Sequence, residues 1–308
     1  MNNKQKLILV TGATGLQGGA VARKLLKQGN HRVRILARNV HSAPAKVLVH
    51  NGAEAVEGNF DDLASLESAM QGVDAVFSMT NPDITDAGTE QKQGNALIQA
   101  ALKKGVKQFV HTSVASAGTH ADFPWWESNY WSKSYWLGKW EVEEAIRTAG
   151  FSSWTILKPA FMMDNFAHPK SNFAFPHLQQ GEIKTARLPD TKLDLIAADD
   201  VAAFAAAAFD APEKFNKKNI ELASESLTMK EVAEILTNVT GERVTSVSLS
   251  PEEAEKEGLF PPMVRAQEWD NIVGYNVDIE SLKPYNIKLT SFNEWAEKYK
   301  DEIKVNRV

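Results

Sequence analysis

The chain has 308 residues, of which 43% are hydrophobic and 24% are charged, and its formal net charge is -5. This composition is typical of a globular protein with a substantial core, and the mild negative charge gives no reason to expect nucleic acid or an anionic membrane as a partner. The absence of cysteine excludes disulfides, thiolate metal sites and a cysteine nucleophile. We expect a cytoplasmic protein, because the sequence shows no secretory signal and no apolar run near the roughly 20 residues of a membrane span.

Short apolar runs alternate with helical patterns through the first half of the chain. Strand, helix and strand repeated in this way require right-handed crossovers and give a parallel sheet with helices on both faces. The sequence therefore predicts an α/β protein with a Rossmann-type doubly wound parallel sheet. The predicted strands are LILV (7–10), RVRILA (32–37), AEAVEG (53–58), DAVFSM (74–79), KQFVHTS (107–113) and SWTILKP (153–159).

Helical patterns lie between most of these strands, and the last of these patterns is long. Pro159 ends the strand that follows, because proline cannot donate to a sheet ladder. The first predicted helix begins at Leu16. The others lie at about Leu63–Met70, Glu90–Lys104 and Ser128–Ala149.

The pattern loosens after Pro159, where proline-containing loops are mixed with helices and strands. We predict a Rossmann domain over residues 1–160 and a smaller, substrate-covering α/β lobe over residues 161–308, with some segments returning to the sheet of the first domain. The elements predicted here are helices at Asp199–Asp210, Met229–Thr240 and Phe292–Lys300, and strands at Asn219–Ala223 and Arg243–Leu249.

The stretch TGATGLQGG follows the first predicted strand and contains glycines at Gly12, Gly15 and Gly18. A glycine-rich turn that opens a helix presents backbone N–H groups and the positive end of the helix dipole to a pyrophosphate. Gly12 would allow the tight turn, Gly15 the close approach of phosphate, and Gly18 the close packing of helix on strand. The spacing is GxxGxxG rather than GxGxxG, and a turn without a ligand is the alternative. The position after the first strand of a βαβ unit favours dinucleotide binding.

The second predicted strand ends in RILARN, which places Arg38 where an NAD-binding fold has an acid for the ribose. A guanidinium at this position favours the 2′-phosphate of NADP, and a surface arginine is the alternative. In GNFDD, after the third strand, Asn59, Phe60 and Asp61 would border the adenine. Asp61 or Asp62 would instead cap the helix that follows.

Tyr135 and Lys139 in YWLGK are four residues apart and therefore share one face of a helix, while Ser113 ends the fifth strand. An ammonium beside a phenol is expected to lower the pKa of the phenol, and a serine hydroxyl can hydrogen-bond the reacting oxygen. This arrangement predicts hydride transfer to a carbonyl, with Tyr135 as the acid, Lys139 holding the nicotinamide ribose and tuning Tyr135, and Ser113 orienting the carbonyl. A YxxxK match alone also arises by chance.

The chain resembles the NmrA-like branch of the atypical short-chain dehydrogenase/reductases in VTGATGLQGGAVARKLL, VRILARN, GNFDD, MTNP, EVEEAIR and ILKPAFMMDNF. The likeness covers nearly the whole chain. It implies an extended Rossmann fold with NADP (NADPH) as the cofactor, in the site usual for the family. The cofactor-binding residues are then Gly12, Thr14, Gly15, Leu16, Gln17, Gly18, Arg38, Asn59, Phe60, Thr80, Asn81, Lys139, Pro159, Phe161 and Met162.

The same resemblance leaves the function open between two classes. Members similar to the fungal nitrogen regulator and the vertebrate redox sensor bind dinucleotide, lack the catalytic tyrosine and act through protein partners. This chain has Tyr135 in the YxxxK position and looks more like the branch that contains quinone and other NADPH reductases. We expect an NADPH-dependent reductase of a small carbonyl or quinone. An NADP(H)-sensing regulator with a protein partner is the alternative, and a sugar-nucleotide epimerase or dehydratase is a third.

Aromatic residues are concentrated around YWLGK. Trp125 and Trp126 lie in DFPWWESNYW, between Ser113 and Tyr135, where flat apolar rings would cover a planar acceptor such as a quinone. Met163 would form another wall, with core packing as the alternative. Trp125, Trp126 and Met163 are therefore the candidate substrate contacts.

Metal chemistry is not predicted for this chain. His111 and His120 are far from other metal-ligating residue types in the predicted arrangement. The expected partner is a small-molecule acceptor, and the sequence does not indicate an oligomeric state.

Overall fold

A computed structural model describes residues 5–81 and 88–305. The strands are β1 (Leu7–Val10), β2 (Arg32–Ala37), β3 (Glu54–Glu57), β4 (Ala75–Met79), β5 (Gln108–Thr112), β6 (Ser153–Pro159), β7 (Phe161–Met162), β8 (Glu182–Thr185), β9 (Lys192–Ile196), β10 (Lys218–Leu222), β11 (Glu225–Thr228) and β12 (Thr245–Ser248). The helices are α1 (Leu16–Gln28), α2 (Ala43–His50), α3 (Leu63–Ala69), α4 (Thr89–Lys103), α5 (Lys133–Thr148), α6 (Ser171–Ala174), α7 (Ala198–Asp210), α8 (Pro212–Phe215), α9 (Met229–Thr240), α10 (Pro251–Lys256), α11 (Pro261–Ile272) and α12 (Phe292–Lys298).

The described residues form two compact units, and the chain passes between them several times. The first unit contains the described residues up to 118 together with 133–158 and 198–221, and the second contains the remainder. Within the described ranges, no helix combines the length and apolar character needed to cross a membrane.

The first unit is built on a seven-stranded sheet with the order β10-β6-β5-β4-β1-β2-β3. From β6 to β3 every neighbouring pair is parallel. Read from the other edge, the order of these six strands is 3-2-1-4-5-6, the order of doubly wound dinucleotide-binding sheets, and the strand order reverses between β1 and β4. The predicted Rossmann-type fold is confirmed.

The strands of this sheet form where short apolar runs are buried on both faces. All four residues of β1 and all five of β5 are buried, as expected for a parallel sheet covered by helices on both sides. Helices begin and end where capping residues allow it. Asp62 accepts hydrogen bonds from the N–H groups of Ala64 and Ser65 at the start of α3, and Gly29 ends α1 in the left-handed conformation.

The second unit has its own apolar core and two smaller sheets. One sheet has the order β11-β9-β7 and the other pairs β12 with β8. Its core includes the fully buried rings of Phe166 and Phe292, whose centroids are 5.2 Å apart. α9 begins with a capping box in which Thr228 and Glu231 satisfy each other's backbone N–H groups.

α5 and α11 are among the helices that differ from the sequence prediction. α5 begins at Lys133 rather than at Ser128, because Asn129 has a φ of +59° and cannot lie in a right-handed helix. α11 begins at Pro261, in a segment for which the sequence predicts no element. Proline is tolerated in the first turn of a helix, where its missing N–H has no intrahelical acceptor.

Candidate functional site

The turn between β1 and α1 has the backbone geometry of a phosphate-binding loop. Gly12 has a φ of +62°, which glycine adopts without steric cost, and the N–H of Gly15 donates to the carbonyl oxygen of Gly12 at 2.9 Å. Gly15 is the N-cap of α1 and offers no side chain to cap it. The first N–H groups of α1 therefore have no intrahelical acceptor and no capping side chain, which suits them to bind an anion.

Gly18 packs α1 against this turn. A Cβ atom at Gly18 would lie 2.4 Å from the carbonyl oxygens of both Thr11 and Gly12. Backbone atoms cannot move aside as a flexible side chain can, so the turn keeps its shape only with glycine at this position.

Gly18→Ala is expected to lower the free energy of unfolding of the nucleotide-free protein by about 1–3 kcal/mol, because the added methyl group overpacks a rigid contact. Urea unfolding measures the loss. Gly15→Ala is the matched control, since its φ is -100° and its Cβ would lie 3.3 Å from the carbonyl oxygen of Gly12. Equal stability losses in the two variants would contradict this interpretation.

Two threonines fix the turn to the carboxyl ends of neighbouring strands. The hydroxyl of Thr11 accepts from the N–H of Met79, at the end of β4, at 2.9 Å. The hydroxyl of Thr112, at the end of β5, donates to Oε1 of Gln17 at 2.7 Å. The glycine turn thus lies at the point where the strand order reverses, which is where open α/β sheets bind ligands.

Arg38 follows β2 directly, and its side chain is exposed. Among the residues that the structure describes, Arg38 makes no ion pair, whereas Arg34 is paired with Glu54 and donates to the carbonyl oxygen of Ala69. The guanidinium of Arg38 is therefore available to a ligand. A cleft of about 300 Å³ is lined by Arg38, Glu57, Gly58, Asn59, Asp62 and Ser65.

Asn59 and Phe60 are held by their own loop. The side-chain oxygen of Asn59 accepts from the N–H of Asp61 at 3.0 Å, and Phe60 packs against the core of the first unit. Asp62 caps α3, which settles the alternative between the two aspartates. Asn59 lines the Arg38 cleft, while Phe60 does not.

Thr80, Glu90 and Lys139 form a buried polar cluster where β4 ends. Lys139 Nζ lies 2.6 Å from Glu90 Oε1 and 3.4 Å from the carbonyl oxygen of Thr80. The Thr80 hydroxyl donates to the same Glu90 oxygen at 2.8 Å. The ion pair is shielded from water, because Lys139 is only 6% exposed and Glu90 only 2%. Asn81, the next residue, is exposed.

Glu90 is absent from the residues predicted from sequence. It is separated from Lys139 by 49 positions along the chain, and only the packing of α4 on α5 joins them. The available signal was a glutamate in the first turn of a helix, a position that acidic residues favour in any protein.

Tyr135 lies one helical turn before Lys139, with Lys139 Nζ 5.9 Å from the centroid of its ring. Burial and, second, the Glu90 carboxylate raise the pKa of Tyr135 above its usual value. The expected lowering of this pKa by Lys139 is therefore wrong in sign, since burial comes first and the carboxylate paired with Lys139 acts in the same direction. The phenol is protonated at neutral pH, so it can donate a proton but is not a base.

Ser113 is engaged by a second buried carboxylate, that of Glu143 on α5. Its hydroxyl donates to Glu143 Oε1 at 2.5 Å, and Arg147 donates to the other oxygen. Burial raises the pKa of Glu143, while Lys158, Ser113 and Arg147 oppose that rise. With its proton donated to Glu143, Ser113 can accept a hydrogen bond from a ligand but has none to give.

His111, on β5, is fully buried, and its Nδ1 lies 3.1 Å from the hydroxyl of Ser78. Burial and the charge of Lys139 lower the pKa of His111 to about 3. The ring is therefore neutral over the physiological range and leaves Lys139 as the cation near Tyr135.

The remaining predicted residues belong to the second unit. Trp125 has 56% of its surface exposed, a φ of +61° and a ring 5.5 Å from that of Tyr130. Trp126 is buried and its ring lies 4.9 Å from that of His120. Of the residues predicted as substrate contacts, Trp125 is thus the one with a largely exposed ring.

The segment from Pro159 to Met163 is mostly buried in the second unit. Phe161 and Met163 belong to its apolar core, and the guanidinium of Arg187 lies 5.4 Å from the ring centroid of Phe161. Pro159 is buried and Met162 partly exposed. Met163 has no exposed surface, so packing accounts for it in this structure.

Comparison with known proteins identifies relatives along nearly the whole chain. A family model described as the NmrA-like family matches residues 4–296. An NmrA-like family domain-containing protein of Dictyostelium discoideum is 29% identical over 95% of this chain and 97% of its own length. The (4-alkanoyl-5-oxo-2,5-dihydrofuran-3-yl)methyl phosphate reductase of Streptomyces griseus is 31% identical over 84% of this chain and 83% of its own length. The structure of an NADPH-dependent quinone oxidoreductase from Escherichia coli, complexed with NADPH, has a TM-score of 0.74 at 25% identity and covers 94% of this chain and 99% of that one.

Proposed function

Because this chain belongs to the NmrA-like family, we propose that it is an NADPH-dependent reductase that transfers hydride to a small carbonyl or quinone acceptor. The observation that carries the proposal is the position of Lys139, whose Nζ lies at the carbonyl oxygen of Thr80, directly after β4. This is the point of strand reversal beside the glycine turn, where doubly wound sheets bind dinucleotides. Tyr135 lies one helical turn away, so a cation and a proton donor meet at the expected position of the reacting groups.

The residues of the first unit fit NADP(H). The Gly12 turn and the uncapped start of α1 suit a pyrophosphate. Arg38, which makes no ion pair with any described residue, lies in its cleft and suits a 2′-phosphate. Thr14 lies within the turn, and Leu16 and Gln17 are the first residues of α1, so we assign their backbone N–H groups to phosphate binding. When bound, NADPH supplies the hydride.

The side chains of this chain then bind, orient and donate. Lys139 provides a fixed ammonium for ribose hydroxyls, and Tyr135 provides the proton or hydrogen bond that the acceptor oxygen needs as negative charge develops. Ser113 has no free proton, because its hydroxyl donates to Glu143. Tyr135 is therefore the donor among the three predicted catalytic residues.

A single donor with a raised pKa suits some acceptors better than others. Hydride addition to an isolated carbonyl creates an alkoxide, a strong base that requires a proton as it forms. Hydride addition to a quinone creates a phenolate-like anion. Phenols have a pKa of about 10, so this weakly basic anion can be protonated after the hydride has been transferred. Within the proposed acceptor classes, a single donor of raised pKa therefore favours quinones and similarly conjugated carbonyls. The names of two relatives refer to such compounds.

The proposal is tested by following the loss of NADPH absorbance with a panel of quinones, conjugated ketones and simple aldehydes. We expect turnover with at least one conjugated acceptor and slower turnover with simple aldehydes. If the protein does not increase the rate of NADPH oxidation with any acceptor, the protein is not a reductase of these compounds.

A non-enzymatic NADP(H)-sensing regulator is the second candidate. The observation in its favour is that both Lys139 and Ser113 are engaged by buried glutamates, an arrangement that serves binding without chemistry. A pull-down from cell extract with and without NADP(H) separates the two functions. Recovery of the same proteins regardless of the nucleotide would argue against the sensor.

A sugar-nucleotide epimerase or dehydratase fits the site less well. In those reactions the tyrosine acts as a base and must lose its proton, whereas burial and Glu90 raise the pKa of Tyr135. Tightly retained NAD in the purified protein would revive this candidate. The roles predicted for Pro159, Phe161 and Met162 toward the cofactor, and for Trp125, Trp126 and Met163 toward the acceptor, stay predictions.

A further inference from the structure

Glu90 is a buried carboxylate to which the proposed reaction gives no role. Its Oε1 binds both the Lys139 ammonium and the Thr80 hydroxyl. Its Oε2 is buried and has no hydrogen-bond partner among the described residues. A charged group in such surroundings is costly unless it is paired, so Glu90 and Lys139 depend on each other.

Two glycines bring α4 and α5 close enough for this pair to form. A Cβ at Gly94, one turn beyond Glu90, would lie 2.6 Å from a methyl group of Val142 on α5. A Cβ at Gly138, the residue before Lys139, would lie 3.2 Å from Glu90 Oε2. The helices therefore approach through missing side chains, and the approach places Glu90 beside the Tyr135–Lys139 pair.

We propose that Glu90 is a positioning residue that holds the Lys139 ammonium at the end of β4 and neutralises its charge toward Tyr135, so that the site donates protons and does not abstract them. This inference rests on the proposed function only for its consequence, the direction of reaction. The charge arrangement itself is a property of the nucleotide-free protein. In short-range electrostatics, an ammonium with a carboxylate 2.6 Å away acts on a third group as a dipole and not as a full charge.

The other charged groups near the pair do not replace Glu90. His111, on β5, is neutral because its pKa is lowered to about 3. Glu143, one turn beyond Lys139 on α5, is paired with Arg147 and hydrogen-bonded by Ser113. Glu90 is the carboxylate that raises the pKa of Tyr135, second in effect to burial.

Glu90→Gln is expected to lower the pH at which Tyr135 ionises by at least about one unit, because the ammonium of Lys139 is then unopposed. Ultraviolet absorbance of phenolate during alkaline titration of the nucleotide-free protein measures this. In Glu90→Gln, one more tyrosine should ionise before the protein unfolds than in the wild type. This additional phenolate absorbance should be absent when Glu90→Gln is combined with Tyr135→Phe. Glu90→Asp, which keeps the charge, should restore the wild-type titration.

The double variant Glu90→Gln with Lys139→Met covers the case in which Glu90→Gln does not fold, since replacing both members of a buried ion pair is often tolerated. Without either charge, Tyr135 should ionise at a pH below that of the wild type and above that of Glu90→Gln. Ionisation at or above the wild-type pH in whichever variant folds would overturn the role of Glu90.

The pH dependence of turnover gives an independent readout. The proton-donating form of Tyr135 is present below its pKa and lost above it, so the alkaline fall in carbonyl reduction should move to lower pH in Glu90→Gln. If the protein reduces an acceptor but its Glu90→Gln variant titrates like the wild type, the proposed role of Glu90 fails and the proposed function stands. If the titration changes as expected but the protein reduces no acceptor, the proposed function fails and the role of Glu90 in the charge arrangement stands.

Discussion

Tyr135→Phe is expected to lower the turnover of a simple carbonyl acceptor by about 100-fold or more, the usual scale of general acid catalysis. The physical reason is that Tyr135 is the predicted catalytic residue with a proton to give, since Ser113 donates its own to Glu143. Turnover of a quinone should fall by less than about tenfold, because its reduced form needs less help from an acid. Steady-state rates with the two acceptors, measured on the same preparation, give the comparison.

Tyr285→Phe is the matched control, because it removes a phenol hydroxyl from the second unit, in the 3₁₀ segment Ile279–Tyr285. Its rates should equal those of the wild type. An unchanged carbonyl rate in Tyr135→Phe would remove Tyr135 from the mechanism. Equal losses for carbonyl and quinone would contradict the argument that the two acceptors differ in their need for a proton.

Arg38→Gln is expected to weaken the binding of NADPH by about 10- to 100-fold, the range expected for losing charge-assisted hydrogen bonds to a phosphate. The affinity for NADH, which has no 2′-phosphate, should change little. Quenching of tryptophan fluorescence by each nucleotide measures both affinities, and it does not depend on finding an acceptor.

Arg32→Gln provides the control for general charge, because Arg32 is exposed on the same strand and paired with Glu54. Its NADPH affinity should be close to that of the wild type. Equal losses of NADPH and NADH affinity in Arg38→Gln would show that Arg38 supports the fold of the cleft and does not select the nucleotide.

The fold could be predicted because its signals are local. The central strands β1, β4 and β5 are short, buried and mostly apolar runs, and the turn after β1 needs its glycines for reasons that neighbouring residues supply. Gly12 has a positive φ, and Gly18 faces the carbonyl oxygens of Thr11 and Gly12, seven and six positions away. Arg38 is similar, since its position depends only on where β2 ends.

The electrostatics of the site could not be predicted in the same way. The spacing of Tyr135 and Lys139 places them on one helical face, but it does not reveal that burial, first, and Glu90, second, raise the pKa of Tyr135. Glu90 reaches the pair only through the close contact of α4 with α5. Ser113 is likewise engaged by Glu143, which lies 30 residues away. The YxxxK motif specifies two residues on one helix and contains no information about a charged residue on another helix, such as Glu90 on α4.

Irregular backbone explains the errors in the loop before α5. Helical periodicity extends back to Ser128, yet Trp125 and Asn129 adopt positive φ values, which no periodic pattern reveals. The same loop separates the two adjacent tryptophans, since Trp125 is largely exposed and Trp126 is buried. Sequence identified the aromatic cluster but could not assign its members to surface or core.

The most direct test of the central claim is a single-turnover experiment in which excess protein is loaded with NADPH and mixed rapidly with a quinone. We expect NADPH absorbance to disappear in one exponential phase, and this phase should be slower when the transferred hydrogen at C4 is replaced by deuterium. Nucleotide that binds tightly but keeps its absorbance, or loses it at the same rate with either isotope, would contradict hydride transfer by this protein.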